Sequence, residues 1–206
     1  MDFLRRYTEL PFLIHMLKTK KITLLNPNSW DDRNDAFLLE EYRRRKKLKT
    51  LLALCFSEAS ETYHHWRVFS GSSGGVCIVF FKTKIITWIK DYDGLRYDSI
   101  KYCKIKELKK KTPKLEELPF LKRHPFRDEK EFRLLYEDNQ NTLTVKNFEL
   151  DFNTIRRIVL SPWLPKSALD SVKSVIKNID NCGTLEVGRT TLVDNEQWKN
   201  AGSVTV

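Results

Sequence analysis

The sequence contains no apolar stretch approaching the ~20 residues that a membrane-spanning helix needs. Its longest candidate, residues 155–165, is broken by Arg156 and Arg157. The opening Met1-Asp2-Phe3-Leu4-Arg5-Arg6 lacks the apolar core and small-residue cleavage site of a secretory leader, so a soluble chain with a cytoplasmic address and no membrane partner is expected. The cysteines Cys55, Cys77, Cys103 and Cys182 form no C-x-x-C pair and read as reduced core thiols. No metal is expected either, because the doublet His64-His65 has no clustered ligand set and adjacent helical residues point about 100° apart. A relay of Ser57, His65 and Asp32 lacks the G-x-S-x-G elbow of a hydrolase. The turn Gly71-Ser72-Ser73-Gly74-Gly75 precedes a strand and follows a helix, the reverse of a phosphate-cradling loop. With no fixed-period repeat and no low-complexity linker, residues 1–206 are expected to form a single domain.

What is present is apolar payload and positive charge. Hydrophobic residues make up 41% of the chain and aromatics 12%, with twelve Phe and five Trp, enough for a substantial core. Strands are predicted over 3–7, 22–25, 51–56, 76–81, 95–102, 130–136 and 155–160, the continuous apolar runs at 51–56 and 76–81 marking buried central strands. Thr8 is predicted to cap a helix carrying Leu10, Leu13, Ile14 and Leu17. Outward-facing helix is predicted over 37–49, and short helices from Ser60-Glu61-Thr62 through Val68 and over 115–122. An amphipathic helix is predicted to place Ala168, Leu169, Val172, Val175, Ile176 and Ile179 on one face. Together these give an α+β fold with a mixed, mostly antiparallel central sheet flanked by helices.

The net charge is +10. It concentrates in Arg43-Arg44-Arg45-Lys46-Lys47-Leu48-Lys49 and in the stretch 101–114, which holds Lys101, Lys104, Lys106, Lys109, Lys110, Lys111 and Lys114. Such clusters are solvated faces in the plain reading, and in the alternative one they are contacts to a polyanion, with nucleic acid as the partner class.

Four polar segments fall at the ends of predicted strands. They are Arg6-Tyr7-Thr8, Trp30-Asp31-Asp32-Arg33-Asn34-Asp35, Ser57-Glu58 with His64 to Arg67, and Asp128-Glu129-Lys130-Glu131-Phe132-Arg133. Period-two alternation puts Glu131 and Arg133 on one face of their strand. The plain alternatives are that Arg6 pairs with a carboxylate, that Asp31, Asp32, Asn34 and Asp35 cap a turn and a helix, and that Glu131 with Arg133 forms a solvated pair.

These segments, with Leu54-Cys55-Phe56, His65-Trp66 and Gly75-Val76-Cys77-Ile78, occur in the order seen in the bacterial domain-of-unknown-function family numbered two-nine-seven-one, which the chain resembles over most of its length. It departs from that family where Arg33-Asn34-Asp35-Ala36-Phe37 replaces Asn-Asp-Pro-Phe-Asp, and where Glu131-Phe132-Arg133 replaces Glu-Trp-Arg. More remotely it resembles the ADP-ribosyltransferase fold of NAD-using toxins, including those that modify DNA bases, with Arg6, Ser57 and Glu131 in corresponding order. That resemblance implies NAD as substrate and Glu131, Arg6 and Ser57 as the catalytic set. It implies Tyr7, Asn34, Asp35, His65, Trp66 and Arg133 as NAD contacts, with Tyr7 or Trp66 stacking on nicotinamide and Arg6 on the pyrophosphate. It further implies a toxin or phage-defence effector, with a silencing antitoxin or defence-complex protein as partner. The alternative is a non-catalytic nucleic-acid-binding or regulatory module. Arg6, Trp66 and Glu131 are expected to line one pocket.

Overall fold

The computed structural model describes residues 2–203. In chain order the elements are β1 (Phe3–Glu9), α1 (Leu10–Thr19), β2 (Lys21–Leu25), α2 (Arg33–Arg45), β3 (Thr50–Ser57), α3 (Tyr63–Ser70), β4 (Gly75–Phe81), α4 (Lys82–Ile89) and β5 (Leu95–Ser99). Then follow β6 (Lys101–Cys103), α5 (Ile105–Lys110), β7 (Leu121–Arg123), β8 (Glu131–Asp138), β9 (Val145–Glu149), β10 (Ile155–Leu160), α6 (Leu169–Lys177), β11 (Val187–Arg189) and α7 (Glu196–Gly202). The fold is α+β. One nine-stranded sheet runs β11-β10-β4-β1-β3-β2-β9, with β8 paired to β3 and β5 paired to β8. All its pairings are antiparallel except β10 with β11. A separate parallel pair, β6 and β7, lies off the main sheet. No helix among the described residues is long and apolar enough to cross a membrane.

β3 organises the sheet. One edge pairs with β8 along its full length, from Thr50↔Asp138 to Ser57↔Glu131. The other edge is shared: β1 meets it at Arg5↔Ser57, and β2 meets it at Leu25↔Ala53. The sheet therefore splits where β1 and β2 diverge, and α1, which joins them, spans the split. Strand alternation then distributes the core. Leu52, Leu54 and Phe56 of β3 and Phe132, Leu134 and Tyr136 of β8 point into the main core with Leu13 and Leu17 of α1. Leu51, Ala53 and Leu135 point the other way, under Leu39 and Tyr42 of α2 and under Phe120. Trp66 of α3 closes a smaller cluster on Cys77, Val79 and Val159.

Several expectations change. β1 continues through Thr8, which pairs with Val76, so Thr8 caps nothing; Glu9 precedes α1, and Pro11 supplies the helix start. The segment 95–102 divides at Ile100, after which β6 leaves the sheet for β7. α2 begins at Arg33 and is not wholly outward, since it buries Asp35, Ala36, Leu39 and Tyr42. On α6 the predicted core residue Val175 is 53% exposed. The run after Arg43 is mostly paired: Arg43 with Glu40, Arg44 and Arg45 with Glu41, and Lys46 with Glu116 and Glu137. The lysine amines of 101–114 have no such partners among the described residues, and α5 buries nothing.

Candidate active site

A cavity of about 580 Å³ opens where the sheet splits. β1 contributes Arg5, Arg6 and Tyr7, β2 Thr23 and Leu25, and β3 Ala53 to Ser57. Trp30, Asp31, Asp32 and Asp35 close one side and Val68 and Phe69 of α3 another, while Lys122, Phe126, Glu129 and Glu131 form the end beyond β3.

The buried end is ionic. Arg133, with no exposed surface, donates Nε to Glu131 Oε1 at 2.7 Å. Its two terminal nitrogens donate to Asp35 Oδ1 and Oδ2 at 2.9 and 2.6 Å, and Nη1 also to Pro119 O. The indole of Trp30 lies over the guanidinium, 5.1 Å from ring centroid to Cζ. Lys122 donates to Glu129 Oε2 at 2.6 Å and to Glu131 Oε2 at 3.1 Å, with Asp35 Oδ2 3.7 Å away. Three carboxylates thus share two cations. Burial pushes the Glu131 carboxyl up, but Arg133 and Lys122 outweigh it and hold the group down at about 2. Glu129, with only Lys122 to offset its burial, sits above the ordinary carboxylate range.

Across the cavity the charge is of the other sign and unmet. Arg5 donates Nη1 to Ala59 O at 2.7 Å. The Arg6 guanidinium has no hydrogen-bond or ion-pair partner among the described residues, and burial lowers its pKa to about 10. The simple alternative of an Arg6–carboxylate pair therefore does not hold. A half-buried guanidinium with no acceptor, in a cavity whose far end holds a charged carboxylate, suits a ligand that carries an anionic group and a polar or electron-deficient centre.

No protein-family model matches the chain, and no curated protein matches it. Among solved structures it is similar to DarT of Thermus sp. 2.9. With that protein's NAD+ complex the identity is 14% and the TM-score 0.47, over 92% of this chain and 95% of the other. With its complex with ADP-ribosylated ssDNA the values are 14% and 0.48, over 92% and 94%, and with its carba-NAD+ complex 12% and 0.46, over 92% and 95%. The chemistry of the cavity is read from this chain's own side chains.

Of the residues singled out from sequence, Arg6, Tyr7, Asp35, Ser57 and Glu131 line the cavity. Ser57 Oγ is committed to the backbone, donating to Glu129 O at 2.6 Å and accepting from Ala59 N, and so it braces the loop ahead of Glu131. Asn34 is exposed and donates Nδ2 to Asp32 Oδ1, which also accepts from the Asn34 and Asp35 amides at the α2 N-terminus. Arg133 lies beneath the cavity wall, and the pair it forms with Glu131 is buried, not solvated.

Trp66 and His65 do not reach the cavity. Trp66 has no exposed surface: its Nε1 donates to Glu61 Oε1 at 2.6 Å, and its ring meets Tyr7 edge-on at 5.3 Å. His65 Nε2 lies 2.9 Å from Asp128 O. The reason is the helical turn: α3 lays His65 and Trp66 against β1 and β4, and the next turn carries Val68 and Phe69 to the rim. Trp30 opens the polar loop that the sequence singles out, and it does line the cavity, whereas Lys122, Val68 and Phe69 carry no such signal. Lys122 ends the segment 115–122 that reads as helix, and the structure instead puts it on β7, where it pairs with Tyr102 of β6.

Proposed function

We propose that the protein is an NAD-dependent ADP-ribosyltransferase whose acceptor is a nucleic acid. The observation that carries this reading is the unpaired Arg6 guanidinium in the same cavity as the charged Glu131 carboxylate. Arg6 takes the pyrophosphate, since guanidinium N–H groups match phosphate oxygens. In the transfer the nicotinamide–ribose bond breaks, and neutral nicotinamide leaves with the bonding electrons. The acceptor forms the new bond at the anomeric carbon and gives up a proton. Cationic character builds on the ribose meanwhile, and a carboxylate held ionised beside it lowers that barrier. Tyr7, Phe69 and Trp30 offer ring surface at the wall for nicotinamide. Transfer to nucleic acid would injure the producing cell, which suits a toxin or phage-defence effector with a silencing partner protein. The free amines of 101–114 favour, as a second reading, a module that binds nucleic acid without catalysis.

NAD turnover and transfer of labelled ADP-ribose to DNA, RNA and protein decide between them. Glu131→Gln should lower turnover by roughly 10²-fold with NAD still bound, and Arg6→Ala should act mainly by raising KM. Wild-type protein that turns over no NAD with any acceptor class leaves the binding module.

A further inference from the structure

Glu131 is charged and pinned, and its two oxygens are pinned by different elements. Oε1 is fixed by Arg133, its neighbour on the same strand. Oε2 is fixed by Lys122 on β7, in the segment that leaves the main sheet after β5. Buried lysine is costly unless its ammonium hydrogens find acceptors. Here Glu129 and Glu131 accept, Asp35 stands within ion-pair range, and the Phe126 ring lies 4.9 Å below the amine. The same segment reaches Glu131 a second time, where the Tyr102 hydroxyl of β6 accepts from the Glu131 amide at 2.8 Å.

We propose that Lys122 is a positioning residue of the transfer reaction: it aims Glu131 Oε2 into the cavity and keeps the three carboxylates in one charged cluster. This rests on the transferase reading above. The groups facing Glu131 are Asp35 from α2, Cys55 and Ser57 from β3, Arg133 from its own strand, Tyr102 from β6, Lys122 from β7 and Glu129 from the turn before β8. Only Arg133 and Lys122 among them are cations. Without Lys122, Glu129 has no cation beside it among the described residues and Asp35 and Glu131 share one guanidinium, so the Glu131 carboxyl is held down less firmly and takes up its proton at a higher pH.

The test compares wild type with Lys122→Met and Lys122→Arg in turnover of NAD across pH, alongside carbon-13 titration of the Glu131 carboxyl. Wild type should show flat turnover from about pH 6 to pH 9. Lys122→Met should fall roughly 10- to 100-fold at the acid end and recover to within about threefold at the alkaline end, with KM for NAD little changed. Lys122→Arg, which keeps the charge, should restore the flat profile. The Glu131 carboxyl signal should move in Lys122→Met at a pH where wild type shows no change. A Lys122→Met profile parallel to wild type, or an unmoved Glu131 titration, overturns the proposal. Should Lys122→Met not fold, the wild-type Lys122 ammonium decides: slowly exchanging nitrogen-bound protons support the clamp, and exchange as fast as at surface lysines overturns it. These NMR readouts need no NAD. Wild type without turnover overturns the transferase reading, and the catalytic role of the clamp with it, whatever the titration shows.

Discussion

Every nitrogen of the Arg133 guanidinium is committed, to Glu131, Asp35 and Pro119. Arg133→Met fills the volume but strips Asp35 and Glu131 of their shared cation, and removing one side of a buried ion pair typically costs 3–5 kcal/mol, so a loss of about 3 kcal/mol or more in a urea melt is expected. Glu131 adds a pH signature. Its folded pKa of about 2 is below the ordinary 4.5, so the stability it contributes is fully present above 4.5 and lost as pH falls toward 2. Glu131→Gln lacks this term, and the gap in urea midpoint between wild type and variant should therefore narrow as pH drops through that window. A constant gap from pH 7 to pH 2.5 would count against the clamp geometry. Alternation alone put Glu131 and Arg133 on one face. That this face is buried depends on Asp35 and Lys122, which no local pattern ties to β8.

At the scale of elements, legibility followed hydrophobic pattern. β3 and β4 were readable because both faces of each are covered, which demands a continuous apolar run. β9 escaped because its alternation, with Phe148 alone fully buried, is that of a sheet edge. The split beside β3, which makes the cavity, is a matter of which strands compete for one edge, and sequence carries no signal for that. The glycine–serine segment is legible in the sequence as a turn, and the structure adds why Gly75 is needed there. A Cβ at this position would lie 2.5 Å from the Ser70 carbonyl oxygen at the end of α3. Gly75→Ala must push α3 off β4 and should cost about 1–3 kcal/mol by overpacking. Since α3 brings Val68 and Phe69 to the cavity rim, KM for NAD should rise with the loss of stability. A melt that shifts while KM stays at the wild-type value would detach the rim from ligand binding.

Across the whole molecule the charge of +10 is unevenly available. The sum and its two runs were plain in the sequence, but which run is free was not, because the neutralising partners of Lys46 are Glu116 and Glu137, supplied by tertiary contact. Arg43, Arg44 and Arg45 are likewise engaged by Glu40 and Glu41 on their own helix. A paired surface arginine must give up its partner before it meets a phosphate, whereas the unpaired lysines of 101–114 release counterions at once. Single-stranded DNA or RNA affinity should therefore respond unequally to charge reversal at the two runs. Changing Lys106, Lys109 and Lys110 to Glu should weaken binding whatever the base sequence and reduce the slope of log K against log salt by about 2–3, near one for each phosphate that is no longer neutralised. The same reversal at Arg43, Arg44 and Arg45 should do less to the slope and more to stability, since it sets like charges beside Glu40 and Glu41. Titrations between about 50 and 200 mM salt separate the cases. Equal slopes for the two triple variants would mean that ion pairing within α2 does not restrain its arginines, and binding that ignores salt would make both runs solvated surface.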